Sequence, residues 1–379
     1  MSTKDQIPST GASATLDRRQ FLGNGAALAG LGAAFAGLSR AVVAQNAPNP
    51  SAPAGGPPRR PPPPPEPTVS QPPPIKDLKG KVAYISAASD GIGLGIARAA
   101  SNAGMKVVIG YRNEERLQAA LPLFKPGNAG VLAIKHDVTD RAGWSSLLAQ
   151  IKNKYGHLHL VVNNAGVKIG REASQASYEE WDNAVAVNFT AIYNSVSACL
   201  PHMLQHGEGG HFVTTASMGG LLPGVNAGVY TSTKIAAVGI MEALRIELES
   251  TTVGTGVFCP GIVSTDNYPM GEENPYRAAQ MAKSGRTAPP RMPSAGMDPI
   301  EAGERVLNGV LNNDLFILSH PEFKPGIQER TDAIMASTPS VETPIPQPRI
   351  DSERVVMRCG IYPREIEHRS KKRDSYRSV

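Results

Sequence analysis

"KVAYISAASDGIGLGIARAASNAG", residues 81–104, decides the fold. "KVAYIS" is a short apolar run that reads as a buried strand, and "GIGLGIARAASNAG" reads as a helix closed by a glycine. A strand that turns through glycines into a helix brings backbone N–H groups and a helix N-terminus to one point. A pyrophosphate can be held there. Taken alone the signal is weak, because glycines before helices are common.

The same alternation continues downstream. "KVVIGY", "VLAIKHDV", "LHLVVNNAG", "GHFVTTAS" and "TGVFCPG" read as strands. Between them "NEERLQAALPLF", residues 140–154, residues 178–206 and "YTSTKIAAVGIMEALRIELES" read as helices. "MDPIEAGERVLNGVLNN" and "DLFILSH" add one more helix and strand. Short apolar runs alternating with helices require right-handed crossovers and a mainly parallel sheet with helices on both faces. The expectation is a single doubly wound, Rossmann-type α/β domain over residues 78–325. The Met-, Pro- and Tyr-rich stretch 266–297 breaks the pattern and is expected to be a substrate lid. Residues 326–379 are expected to be a loosely ordered C-terminal extension.

Ahead of the domain stands a different kind of sequence. Residues 16–37, "LDRRQFLGNGAALAGLGAAFAG", place two arginines before a Gly/Ala-rich apolar run. They resemble a twin-arginine export signal, which implies that residues 1–44 are a signal peptide. A short anchor or an unstructured arm is the alternative reading, although the run is below the ~20 apolar residues of a spanning helix. The signal implies folding in the cytosol, passage through the twin-arginine machinery and a periplasmic location. Residues 45–77, with "PPRRPPPPPEP", read as an extended linker. A docking motif for a proline-binding module is the other possibility.

The net charge of +5 comes from 38 basic and 33 acidic residues with no long basic block, so nucleic acid is not an expected partner. Cys199, Cys259 and Cys359 form no spaced pattern, and no metal site is expected. Needing no disulfide suits a protein that folds in the reducing cytosol.

Within the first stretch, "SAASDGIG", residues 86–93, resembles the Thr-Gly-x-x-x-Gly-x-Gly element of the short-chain dehydrogenase/reductase family. The resemblance implies that Ser86, Ser89, Asp90, Gly91, Ile92 and Gly93 bind the cofactor. Ala87 departs from the pattern; if its φ is positive, alanine costs roughly 1 kcal/mol there. In "GYRNEER", Arg112 stands where NADP-preferring members carry a basic residue, and a guanidinium there would pair with the 2′-phosphate. Asp90 argues the other way, and Arg112 could instead be a surface charge paired with Glu114 or Glu115. NADP is the expected cofactor, with NAD the less favoured. Asp137 and Val138 would meet the adenine, and Asn164, Ala165 and Gly166 of "NNAG" would shape the adenosine side.

"YTSTK" puts Tyr230 and Lys234 on one helical face. Carbonyl chemistry needs a proton donor at oxygen, and a phenol with pKa near 10 serves poorly at neutral pH unless an ammonium favours its phenolate. Ser217 ends the strand "GHFVTTAS", where its hydroxyl can hold the reacting oxygen. In the resembled family Asn, Ser, Tyr and Lys in this order form the active tetrad, here Asn188, Ser217, Tyr230 and Lys234. Pro260, Gly261, Val263 and Thr265 match the turn beside the nicotinamide. The resemblance implies hydride transfer between NADP(H) and a carbonyl or secondary alcohol. The rivals are a non-catalytic dinucleotide sensor or scaffold, and an epimerase or dehydratase on the same fold. Leu221, Leu222, Met270 and Tyr276 suggest a small apolar alcohol or ketone, with core packing or lid contacts the other explanation for these side chains. A homodimer or homotetramer through helices 178–206 and 230–249 is expected from the family.

Overall fold

The computed structural model describes residues 70–124, 130–265, 296–340, 344–357 and 359–371. The expected signal peptide, residues 45–69 of the linker and residues 266–295 of the expected lid lie outside the described residues.

Seven strands are described: β1 Val82–Ile85, β2 Lys106–Tyr111, β3 Leu132–Lys135, β4 Leu160–Asn163, β5 Gly210–Thr215, β6 Val253–Cys259 and β7 Phe316–Leu318. They form one sheet in the order β3-β2-β1-β4-β5-β6-β7, with every pairing parallel. The chain winds outward from β1 to β3, crosses back to β4 and winds outward again. The strand order thus reverses between β1 and β4, which opens a crevice at their carboxyl ends. Every residue of β1, β4, β5 and β6 is buried. Both faces of these strands are covered, so they read as continuous apolar runs and not as an alternation.

The covering helices are α1 Gly91–Asn102, α2 Glu114–Ala120, α3 Arg141–Tyr155, α4 Tyr178–Val185, α5 Ala191–His206, α6 Gly228–Leu248 and α7 Pro299–Asn312. One core layer holds Tyr84, Trp144, Leu147, Phe212 and Met241; the other holds Ile85, Ile96, Ile109, Phe258 and Val306. In the second layer α1 and α7 approach closely through two glycines. A Cβ on Gly95 would lie 2.0 Å from the Pro299 carbonyl oxygen, and one on Gly303 would lie 2.7 Å from that of Gly95.

The domain reaches further at both ends than the sequence reading allows. Its amino edge is not at residue 78, because Gln71 and Ile75 are already buried. The Gln71 side-chain amide donates to the carbonyls of Leu248, Thr251 and Val253 at 2.9–3.1 Å. At the other end, α8 Lys324–Ala336 and α9 Gln347–Met357 are followed by α10 Ile361–Ser370. Helix α10 is docked, not loosely attached: Ile361 is buried, and Arg364 Nη2 donates to Glu249 Oε2 at 2.6 Å. Asp314, itself 1% exposed, meets His368 at 3.1 Å and Arg369 at 3.2 Å. Among the described residues no helix is long and apolar enough to cross a membrane.

Candidate active site

The cofactor turn is built by the residues that follow β1. Ser86 is 1% exposed, and its hydroxyl accepts the N–H of Asn164 (2.8 Å) and of Ala165 (3.0 Å). It donates to the Val162 carbonyl at 3.3 Å. Its side chain therefore fixes the "NNAG" loop and is engaged within the scaffold, so any effect of that hydroxyl on a cofactor runs through Asn164 and Ala165. Asn164 in turn joins three strand ends: Nδ2 donates to the Ser86 carbonyl at 3.2 Å and Oδ1 accepts from Thr215 Oγ1 at 3.2 Å.

Ala87 has φ +49°, so the condition attached to its departure from the glycine pattern is met. Gly91 has φ +53°, and a Cβ there would approach Thr265 Cγ2 to 3.1 Å. A Cβ on Gly93 would lie 2.5 Å from both the Ala87 carbonyl oxygen and Asn164 Nδ2. The turn thus closes to a backbone-lined cradle between the amino end of α1 and Thr265, with partly exposed Ser89, Asp90 and Ile92 around it. Backbone N–H groups at the start of a twelve-residue helix, in a space that side chains would fill, fit a pyrophosphate.

At the adenosine end Arg112 pairs with Asp137 (Nη1 to Oδ2, 3.4 Å), and not with Glu114 or Glu115 as the surface-charge reading would have it. Burial alone would raise the Asp137 pKa, but hydrogen bonds from the Thr139 N–H and hydroxyl, helped by Arg112, hold it below the usual carboxylate range. The neighbouring Arg116, which the sequence reading passed over, reaches Asp90 at 3.1 Å. Val138 places its side chain in the core while its carbonyl accepts from Trp144 Nε1 (2.9 Å) and Asn194 Nδ2 (3.3 Å).

The four tetrad residues come from three elements and meet. Lys234, on α6, is 4% exposed; its Nζ donates to the Thr215 carbonyl at 2.9 Å and lies 5.6 Å from the centroid of the Tyr230 ring. Burial pushes the Lys234 pKa down to about 8. Ser217 begins a single 3-10 turn after β5, and its Oγ accepts the N–H of Gly219 at 3.0 Å. A Cβ on Gly219 would lie 3.3 Å from Tyr230 Cε1 and 3.5 Å from Ser217 Oγ, so both hydroxyl-bearing side chains approach that glycine closely. A Cβ on Gly166 would lie 3.4 Å from both Asn188 Oδ1 and Lys234 Nζ, which brings the "NNAG" loop to the same place.

Asn188 sits in a π turn, Ala186–Thr190, that joins α4 to α5. Such one-turn bulges frequently mark functional sites. Its Oδ1 accepts the Val167 N–H at 2.8 Å, and its Nδ2 donates to the Val167 carbonyl (2.9 Å) and to Thr233 Oγ1 (3.0 Å). Both ends of the buried amide are engaged, so it anchors the loop after "NNAG" to α6.

The loop after β6 closes the site. The Pro260 carbonyl accepts from Met218 N at 2.9 Å, and Val263 bridges Met297. His320, at the end of β7, accepts the Gly261 N–H at Nδ1 (3.0 Å) and donates from Nε2 to the Ile262 carbonyl (3.1 Å). That tautomer follows from the partners. The sequence reading missed His320, because only the tertiary fold brings "LSH" beside "PGI". Thr215 and Thr233 were missed for the same reason.

A family model described as short chain dehydrogenase matches residues 81–274. The chain is similar to the C alpha-dehydrogenase of Sphingobium sp. strain SYK-6, with 26% identity over 277 residues, covering 71% of this chain and 90% of that one. It is also similar to the 2,5-dichloro-2,5-cyclohexadiene-1,4-diol dehydrogenase of Sphingobium indicum, 31% identical and covering 50% of this chain and 75% of that one. Among solved structures, a short chain dehydrogenase/reductase from Burkholderia phymatum in complex with NAD has a TM-score of 0.60 and 25% identity. That likeness covers 72% of this chain and 100% of the other.

Proposed function

The chain belongs to the short-chain dehydrogenase family, and from that premise we propose that it is an oxidoreductase acting with NADP(H) on a small apolar ketone or secondary alcohol. The dinucleotide, when bound, gives or takes the hydride. Everything else falls to the chain's own groups.

Gly91, Gly93 and the amino end of α1 would hold the pyrophosphate, with Thr265 closing that cradle from the other side. The Tyr230 hydroxyl gives its proton to the substrate oxygen during reduction and removes it during oxidation. The Lys234 ammonium, fixed by the Thr215 carbonyl, favours the phenolate and so makes that transfer feasible near neutral pH. Ser217 Oγ already accepts a backbone N–H, which leaves its own O–H to orient the substrate oxygen. The Asn188 amide, engaged by Val167 and Thr233, holds the loop after "NNAG" against α6 beside Lys234. The observation that carries this reading is the approach of Ser217 Oγ and the Tyr230 ring to the same glycine, Gly219, with Lys234 beside the phenol ring.

The reading of NADP rests on the end of β2, where Tyr111-Arg112-Asn113 offers a guanidinium and no carboxylate to a ribose 2′-substituent. We also propose that residues 1–44 direct export through the twin-arginine machinery and that the folded protein leaves the cytosol with its cofactor bound. Side chains exposed on α4, α5 and α6, among them Trp181, Tyr193, Ile235 and Ile246, suit the helix-mediated dimer or tetramer expected of the family. The test is to purify the mature protein from the periplasm, denature it and identify the released nucleotide by mass spectrometry. Near-stoichiometric NADP is expected. An empty protein, or one carrying NAD, contradicts the NADP and export readings.

A further inference from the structure

At the amino end of the sheet, away from the strand ends that carry the tetrad, four histidines come together. His157 and His159 lead into β4, spaced so that both side chains leave the extended chain on one side. His202 and His206 lie one turn apart on α5, on one helical face. Helix α5 packs over the sheet, so the two pairs face each other. Ring centroids are 4.8 Å apart for His157–His206, 5.1 Å for His202–His206 and 5.8 Å for His157–His202. One ring nitrogen from each of these three lies within 4.8 Å of the other two.

The hydrogen bonds sort the four rings into roles. His159 has both nitrogens engaged: Nδ1 accepts from Val82 N at 3.1 Å, and Nε2 meets Glu208 Oε2 at 3.0 Å. It therefore orients the carboxylate. Lys81 also takes Oε2, at 3.4 Å, which leaves Oε1 turned to His157 Nε2 at 3.4 Å. His157 Nδ1 is buried with no hydrogen-bond partner, although the side chain as a whole is 43% exposed and open to an entering ion. His206 donates from Nε2 to the Leu158 carbonyl at 3.0 Å, the kind of outer contact that fixes the tautomer of a metal-bound imidazole. The N–H contacts of Leu158 to His202 (3.3 Å) and of Glu208 to His206 (3.1 Å) are the ones an ion would replace.

We propose that His157, His202 and His206 form a binding site for a divalent first-row transition metal, zinc by its donor set, with Glu208 bracing His157 from behind through Nε2. Three imidazoles favour zinc, cobalt or nickel over magnesium or calcium, with water left to complete a four-coordinate site. Around a tetrahedral zinc, with Zn–N of about 2.0–2.1 Å, nitrogens sit roughly 3.3 Å apart, so the widest pair must close by about 1.5 Å. His157, with its open face, supplies that movement. The bound ion ties the end of α5 to the lead-in of β4 and stabilises the fold by an amount that rises with the logarithm of free ion above its Kd.

The test uses untagged protein, stripped with a chelator and titrated with cobalt(II) chloride, then with zinc chloride in competition. Visible absorption of a four-coordinate cobalt site, saturating at one equivalent and bleached by zinc, is expected. His157→Ala removes the ring whose Nδ1 has no hydrogen-bond partner, and it should abolish the cobalt band and weaken zinc binding at least about tenfold. Glu208→Gln provides a second, exposed variant with the same expected weakening, and circular dichroism establishes that each variant is folded. No saturable band in the wild type, or zinc binding unchanged in both folded variants, overturns the proposal.

Discussion

Lys234 Nζ stands 5.6 Å from the centroid of the Tyr230 ring while donating to the Thr215 carbonyl at 2.9 Å. The ammonium is thus held beside the phenol by a group that cannot itself titrate. Lys234 is buried, and its pKa is pushed down from 10.5 to about 8. For a base lowered in this way, folding is most favoured above the unfolded value and loses stability as pH falls from 10.5 to about 8. At neutral pH the charged lysine therefore costs on the order of 3 kcal/mol. Lys234→Met should lower turnover by about 10²–10⁴-fold. It should leave the thermal midpoint equal or higher, since the bare Thr215 carbonyl returns only about 1–3 kcal/mol of cost. Calorimetry beside steady-state kinetics checks both.

Arg112 faces Asp137, and a 2′-phosphate would compete for the same guanidinium. Arg112→Asp should weaken NADP binding by about 1.5–3 kcal/mol, or roughly 10–150-fold. NAD binding should hold or improve. Dissociation constants for the two dinucleotides, measured by fluorescence titration on both proteins, decide this; an unchanged ratio removes Arg112 from cofactor selection.

Ala87 carries a positive φ of 49° in an exposed turn. Ala87→Gly should relieve about 1 kcal/mol of backbone strain and raise the denaturant midpoint. Chemical unfolding reads the effect directly, and a destabilised variant would show that alanine is the better fit.

His211 in β5 is 0% exposed, and burial followed by the Arg245 charge pushes its pKa down to about 3. The folded state refuses a proton that the unfolded chain accepts near pH 6.5. Stability should therefore be complete above that value and fall between 6.5 and about 3, by on the order of 1 kcal/mol per pH unit. His211→Gln should flatten that limb in urea titrations across the range, whereas an unchanged slope would assign the loss to other groups.

Arg364 and Glu249, 11% and 8% exposed in their side chains, form the main polar tie between α10 and α6. Arg364→Ala leaves a buried carboxylate unpaired and should cost about 3–5 kcal/mol. Replacing both partners by apolar residues should recover much of that loss. Unfolding curves for the single and double variants test the dependence.

The strands and the glycine turn were legible because a sheet buried on both faces demands continuous apolar runs, as in "KVAYIS" and "LHLVV". The grouping of Asn188, Ser217, Tyr230 and Lys234 was expected only from their order along the chain, since no local pattern brings the three segments together. Docking of α10 was hidden, since the helix is held by Arg364, His368 and Arg369 and not by an apolar stripe. Gln71 was hidden in a proline-rich context, where nothing local shows that three carbonyls await its amide. The histidine cluster joins residues more than forty positions apart, and neither pair alone has the look of a metal motif. Ser86 shows the converse: a correct position in the motif, with a hydroxyl that the scaffold itself uses.

The most direct test of the central claim is to follow NADPH oxidation by wild type and Tyr230→Phe over a panel of small apolar ketones. Proton donation by Tyr230 during hydride transfer predicts turnover of at least one ketone by the wild type. It also predicts a fall of about 10²–10⁴-fold in Tyr230→Phe with the dinucleotide dissociation constant unchanged. Equal turnover in the two proteins, or no ketone turned over by a wild type that binds the dinucleotide, would contradict it.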